Sequence, residues 1–513
     1  MRRFLAALLF SLCGATCLAA TPFSVDVSDL WFNPAESGWG INLAQQGDMV
    51  FATLFVYGRD GRPHWYSASS MKGTRGSGRD VSFSGVLAES FGPTQPGGFI
   101  ASEVVRREVG SITFQTRGDN RADLTYSVDG VTVTKQVERL TMKATDASGE
   151  YTSDMVLGCF DAYNINAPAA LRILQSGTSF SMEASASGSS CTYTGTPQWR
   201  GRIMGVNGTF SCRNGWQGTF EISDMNVTYQ GFVARLAQSG MSSGTSCTRE
   251  RHIGGVSAEG TRAARASADM SDLWWSPDES GWGINFQQQD NLLFGTLFTY
   301  GADRRPKWYS ASDLRVSFVI DGGLPSFDGG LYESTGPSYA TAFNAAAVTR
   351  RRVGDFHASP IPGTPDELDL TWSIDGSGYA KRVKRLTTRG NDSSGAYRGT
   401  YALKRTCRGG TGTGFEPLNF SVTQANGSFS LESFSPNQSC SFKGPVEARG
   451  RMLWSAGTYI CGGFLPENGT YVMSELEVGQ DGIIGQLQRT ATNTLGGNVG
   501  CSVSGRILGV RPN

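Results

Sequence analysis

Asp26 to Ser69 reads DVSDLWFNPAESGWGINLAQQGDMVFATLFVYGRDGRPHWYSAS, and Asp269 to Ser312 reads DMSDLWWSPDESGWGINFQQQDNLLFGTLFTYGADRRPKWYSAS. The two align without a gap at a constant offset of 243, with about two-thirds of positions identical. A repeat of that quality divides the chain, because each copy must build the same unit. The match runs on through ESFGP (89–93) and ESTGP (333–337), VVRREVG (104–110) and VTRRRVG (348–354), and LTYSVDG (124–130) and LTWSIDG (370–376). It ends with VERLT (137–141) and VKRLT (383–387). We call this module A.

A second, looser repeat follows each A. Cysteines fall at Cys159, Cys191, Cys212 and Cys247, then at Cys407, Cys440, Cys461 and Cys501, with the same middle spacing. CTYTG answers CSFKG, and GTFSC answers GTYIC. This is module B. The order is a signal peptide over 1–20, A1 over 21–146, B1 over 147–256, a small-residue linker over 257–268, A2 over 269–392 and B2 over 393–513. A chain of 513 residues is too long for one core, at roughly 100 to 200 residues per domain.

Within A1, Trp39, Ile41 and Leu43 alternate with Gly40, Asn42 and Ala44. Phe51 to Tyr57 is an apolar run ended by the turn Asp60-Gly61, and Trp65 opens the next strand. That pattern is an antiparallel hairpin. Repeat two has Asp303-Arg304 at the turn, so a two-residue turn cannot be assumed in both copies. Valine, threonine and aromatic segments recur every ten or so residues to Thr141, enough for about eight strands. Glycine, at 67 residues, and sparse charge also suit short strands and tight turns. The expected fold class is all-β, four small antiparallel barrels or sandwich-like modules in an A-B-A-B tandem.

MRRFLAALLFSLCGATCLAA, with Arg2, Arg3 and a short apolar run ending in small residues, reads as a secretory signal peptide. The expected localisation is secreted, periplasmic or cell-surface. Lys plus Arg balances Asp plus Glu at 45 each, so no net field attracts nucleic acid. No later segment is apolar enough to span a membrane as a helix.

The S-G-W-G segment Ser37–Gly40, with Arg139 in the last strand, resembles the calycin barrels of the lipocalin and avidin group. The resemblance implies that Trp39 packs on Arg139, and Trp282 on Arg385, to close one barrel end. The longer pattern D-L-W-x-x-P-x-E-S-G-W-G also resembles a repeat of exported proteobacterial proteins, which brings no activity with it. Each set of four cysteines allows three disulfide connectivities. A hairpin turning near Arg200 to Arg202 would pair Cys191 with Cys212, and an outer tie between first and last strands would pair Cys159 with Cys247. The homologous pairs are Cys440 with Cys461 and Cys407 with Cys501.

His64, His252 and His357 are unmatched between copies, so neither a repeated triad nor a multi-histidine metal site is expected. No metal or cofactor is expected. Glu36, Asp60, Glu89 and Asp129 recur as Glu279, Asp303, Glu333 and Asp375, the material for a carboxylate hydrolase. Against that, Asp60 and Asp129 are turn formers and Glu36 suits a cap. Of the recurring pairs Arg106-Arg107 and Arg350-Arg351, at most one member each can line an anion site. Aromatics with amide neighbours form the expected ligand site, in two copies: Trp31, Glu36, Asn42, Gln45, Tyr57, Trp65 and Tyr66, and Trp274, Glu279, Asn285, Gln288, Tyr300, Trp308 and Tyr309. The leading expectation is a non-enzymatic binding or adhesion protein for a glycan, small apolar molecule or protein. The alternatives are a structural or inhibitor-like protein with filled barrels, and a hydrolase.

Overall fold

The computed structural model describes residues 25–512, apart from segments 77–78, 95–97, 119, 160–168, 187, 258–267, 321–323, 408–409, 436–437, 464–465 and 495–500. The expected signal peptide and nearly all of the linker lie outside the described residues. The chain forms four closed eight-stranded antiparallel barrels. A1 runs from strand Asp29–Phe32 to Val131–Arg139, and B1 from Gly149–Ser153 to Thr245–Ser257. A2 runs from Asp272–Trp275 to Ser377–Arg385, and B2 from Gly395–Cys407 to Ser502–Val510.

Period-two patterning builds the walls. In Arg121–Val128, Ala122, Leu124, Tyr126 and Val128 point inward while the residues between them stay at least partly exposed. Asp129 and Gly130 then both take positive φ (47° and 83°), a two-residue turn repeated at Asp375 and Gly376. At the other turn, Gly61 and Arg304 both adopt left-handed backbone, so the copies share one three-residue loop in spite of the glycine-to-arginine change. First and last strands pair to close each barrel, which leaves no open edge.

The first strand differs from expectation. Asn33-Pro34 starts a 3-10 turn whose Asn33 side chain accepts from Ala35 N, so Asp29–Phe32 becomes a short strand of its own. Trp39 falls before the second strand, Gly40–Gln46. The closing ladder therefore pairs Trp31, not Trp39, with Arg139, and the guanidinium lies 4.6 Å from the Trp31 ring centroid. Arg385 stands likewise over Trp274, at 4.4 Å. A first-strand tryptophan does meet a last-strand arginine, through a different tryptophan from Trp39 and Trp282.

All four expected disulfides are present: Cys159–Cys247, Cys191–Cys212, Cys407–Cys501 and Cys440–Cys461. Cys191 and Cys212 are direct register partners across the hairpin that turns at Gly201.

The barrels associate through reciprocal contacts. Trp65 Nε1 donates to Thr299 O at 2.8 Å, and Trp308 Nε1 to Val56 O at 2.9 Å. Asn42 donates to Thr296 and Asn285 to Thr53. Equivalent surfaces of A1 and A2 thus face each other as in an isologous dimer, fused into one chain. Phe55, Tyr57, Trp65 and Phe99 of A1 join the A2 core. The B barrels also meet: Val233 and Val256 pack with Ala402, Ile484 and Leu508, and Glu477 accepts from Asn226. Where the four barrels converge, Arg202 pairs with Asp26, Arg451 pairs with Asp269 and Glu477, and Arg139 and Arg385 pair with Asp29 and Asp272.

Candidate ligand cleft between the A barrels

The residues expected to form two aromatic sites serve three different ends. Trp31 and Trp274 are fully buried, each donating Nε1 at 2.9 Å to a carbonyl four residues back, and Phe114 packs edge-on against Trp31. The arginine above and the lead segment below seal them from solvent, so neither lies at an open barrel mouth. Gln45 and Gln288 hold that lead segment, accepting from Val27 N at 2.8 Å and Met270 N at 2.9 Å. Glu36 binds Lys135 Nζ at 2.6 Å and Trp39 Nε1 at 3.2 Å, and Glu279 holds Lys381 and Trp282 in the same way.

Asn42, Tyr57 and Trp65, with Asn285, Tyr300 and Trp308, are spent on the contact between A1 and A2. Tyr57 and Tyr300 donate their hydroxyls to Gly38 O and Gly281 O, both at 2.6 Å. Their rings pack beside Gly336 and Gly92 of the opposite copy. Tyr66 and Tyr309 remain, and Tyr66 lines a cleft of about 650 Å³ between the two barrels.

The two β-hairpin turns form the cleft walls. Arg59, Asp60 and Arg62 stand on one, Asp303 and Arg305 on the other. They pair crosswise, Arg62 with Asp303 at 3.5 Å and Arg305 with Asp60 at 3.9 Å. Behind each turn runs a chain of charges. Glu89 and Arg107 are register partners on adjacent strands. His64 Nε2 lies 2.8 Å from Glu89, Arg107 is 2.6 Å from both Glu89 and Asp129. In A2, Lys307 takes the place of His64, 2.7 Å from Glu333, and Arg351 links Glu333 to Asp375. Tyr339, delivered by the A2 segment after ESTGP, meets the Tyr66 ring edge-on at 6.1 Å and closes over Tyr126.

Burial would raise the Glu89 carboxyl, but hydrogen bonds and charge from His64 and Arg107 outweigh it and hold the group below the usual range. Glu333 is lowered through Lys307 and Arg351 against the same burial, and Asp129 by its hydrogen bond from Arg107. Burial drives the Tyr66 phenol upward, so it stays a neutral hydroxyl. A glycosidase needs one carboxyl raised enough to donate a proton. These carboxylates are held ionised instead. Among the described residues no cluster of three or more His, Cys, Asp or Glu could hold a metal.

Sequence reading noticed Glu89, Asp129 and Glu333 as recurring carboxylates, and Arg107 as a recurring arginine. It missed their junction with His64 and Tyr339. The available signal was the repeated ESxGP motif, whose glutamate joins the charge chain and whose glycine meets the opposite barrel.

Fold and cleft define the class: a tandem, disulfide-bonded four-barrel protein whose architecture fits binding or structural work. No protein-family model and no curated protein matches the chain. Its four disulfides are bonds suited to an oxidising, extracellular or periplasmic environment, and among the described residues no helix is long and apolar enough to cross a membrane.

Proposed function

We propose that this is an exported, non-enzymatic binding protein whose ligand seat is the cleft between the A1 and A2 hairpin turns, and that the seat takes an uncharged, polyhydroxylated ligand, a short glycan. The observation that carries this is the composition of the cleft. Four cations, Arg59, Arg62, Arg305 and Lys307, face four carboxylates, Asp60, Asp129, Asp303 and Glu333, with Tyr66 and Tyr339 beside them. Equal numbers of opposite charges, with Arg62, Arg305 and Lys307 each on a carboxylate of the cleft, offer hydrogen-bond donors and acceptors without a net field, and tyrosine adds a face for stacking. A small apolar ligand fits this lining poorly.

The test is a thermal-shift and calorimetric screen of the full chain against neutral and acidic oligosaccharides. A ligand that binds only the folded state raises the melting temperature. We expect a saturable neutral glycan whose affinity falls about tenfold, roughly 1.4 kcal/mol, in Tyr339→Ala. Acidic glycans binding best, or binding indifferent to Tyr339, would defeat the reading. The second reading, a structural or protein-interaction role, is favoured by the sealed Trp31 and Trp274, and gains if the whole panel is silent.

A further inference from the structure

A separate cavity of about 600 Å³ opens where A2, B1 and B2 meet. Its floor is the outer wall of B2, left low by Ala402, Gly414 and Gly505. One end is apolar, with Ile361, Pro362 and Phe415, the last 46% exposed. The other end is polar and centres on Glu475.

Glu475 sits at φ 51°, a left-handed conformation unusual for a glutamate and held there by a bulge in the ladder between Ser474 and Glu477. Its backbone carbonyl accepts from Gln230 Nε2 at 3.3 Å, and its carboxylate has only a 3.5 Å contact from Gln486 Nε2, which also reaches Tyr229 Oη at 3.1 Å. Arg506 is engaged elsewhere, with Ser257 O at 3.0 Å and Ser257 Oγ at 2.6 Å. Among the described residues none forms a salt bridge with Glu475.

The first repeat shows what such a position accepts. Asp224 occupies the same bulge of B1, between Ser223 and Asn226, with φ 53°. There the guanidinium of Arg79, from the turn before strand Val81–Phe91 of A1, pairs with the carboxylate. In the second repeat DVSFSG (80–85) aligns with LPSFDG (324–329), which sets Gly323 opposite Arg79. The arginine has been lost from the sequence while the carboxylate and its strained backbone remain.

We propose that this groove is a second ligand site, for a small organic cation with a guanidinium or amidinium head and an apolar body. The head takes at Glu475 the place that Arg79 takes at Asp224, and only a body long enough to cross the wall reaches Phe415, four strands from that bulge. A planar head with paired N–H donors matches a carboxylate in two parallel hydrogen bonds. Burial pushes the Glu475 carboxyl up to about 7, with Arg506 only partly offsetting it, so an arriving cation meets a carboxyl that forms no salt bridge among the described residues. The site is independent of the cleft between A1 and A2.

Calorimetric titration of the full chain with benzamidine, against its uncharged analogue benzamide, tests this. Saturable binding of benzamidine alone is expected, weakened about tenfold in Glu475→Gln and unchanged in Tyr339→Ala. Melting curves verify folding of both variants. Equal binding of the two compounds, undiminished binding by Glu475→Gln, or no saturable benzamidine binding at millimolar concentrations would overturn the proposal.

Discussion

Gly336 of A2 lies so close to Tyr57 of A1 that a Cβ placed on it would stand 2.5 Å from ring atom Cε2, and Gly92 meets Tyr300 in the reciprocal contact. Gly336 N donates to Gly61 O at 3.0 Å, and Tyr339 N to Tyr57 O at 3.0 Å, so the segment after ESTGP is laced to the opposite barrel. Phe99 does the same for A1, stacking on Tyr300. Each A barrel is capped by its sister. Both A copies are then needed for either to be complete, which makes the repeat a fused dimer rather than two independent beads.

Gly336→Ala should therefore destabilise the A pair by about 1–3 kcal/mol through overpacking. Its φ lies outside the left-handed range, so backbone strain does not contribute. Urea denaturation followed by tryptophan fluorescence reads the loss. Wild-type stability in this variant would mean the A1–A2 contact is dispensable.

Arg139 and Asp29 form a buried pair 3.0 Å apart with the guanidinium over Trp31. Arg139→Met strands a buried carboxylate, which should cost about 3–5 kcal/mol. Burial already raises Asp29, against the pull of Arg139 and Arg202. Arg139→Met with Asp29→Asn should recover part of that loss. A double variant as unstable as the single one would show that packing on Trp31, not charge, sets the cost.

The repeat, the strand count of A, the hairpin cysteine pairs and the Asp-Gly turns were legible because they depend on residues near in sequence or on period two. Burial of the tryptophans was not. Trp65 finds its hydrogen-bond partner 234 residues away in the other copy, and nothing local to Trp65 encodes that. One clue was available: Met49–Tyr57 is apolar on both faces, which in a barrel wall means the outer face is also covered. Trp39 was misplaced for a local reason, since Asn33-Pro34 ends a strand before S-G-W-G begins.

The disulfides should separate the B barrels from the A barrels in a melt. Each is worth about 2–4 kcal/mol, and the module A cores contain none. Cys159–Cys247 spans 88 residues and Cys191–Cys212 spans 21, so chain entropy makes the wider closure worth about 1 kcal/mol more. Calorimetry with a reductant should show the B transitions falling first. Replacing Cys159 and Cys247 by alanine should lower B1 more than replacing Cys191 and Cys212. A single transition moving as one under reduction would refute the independence of B.

Glu475 predicts a pH signature opposite to that of the charge chain at Glu89. Its carboxyl is raised from 4.5 to about 7 by burial. Between those two values the folded chain binds the proton that the unfolded chain has released. Stability from this group is therefore full below about pH 4.5 and lost as pH rises through about 7. Glu89 is lowered by His64 and Arg107, so its contribution is present above the normal carboxylate range and lost as pH falls. Arg506 and the neutral groups Gln486 and Tyr229 face Glu475, and Lys404 lines the same groove. Glu475→Gln should thus remove the downward slope of stability across that window and leave the acid limb unchanged. Melting temperatures of the two proteins, measured from pH 4 to pH 8, decide it: parallel curves would mean that the Glu475 carboxyl is ionised throughout, and that the groove already holds its counter-charge.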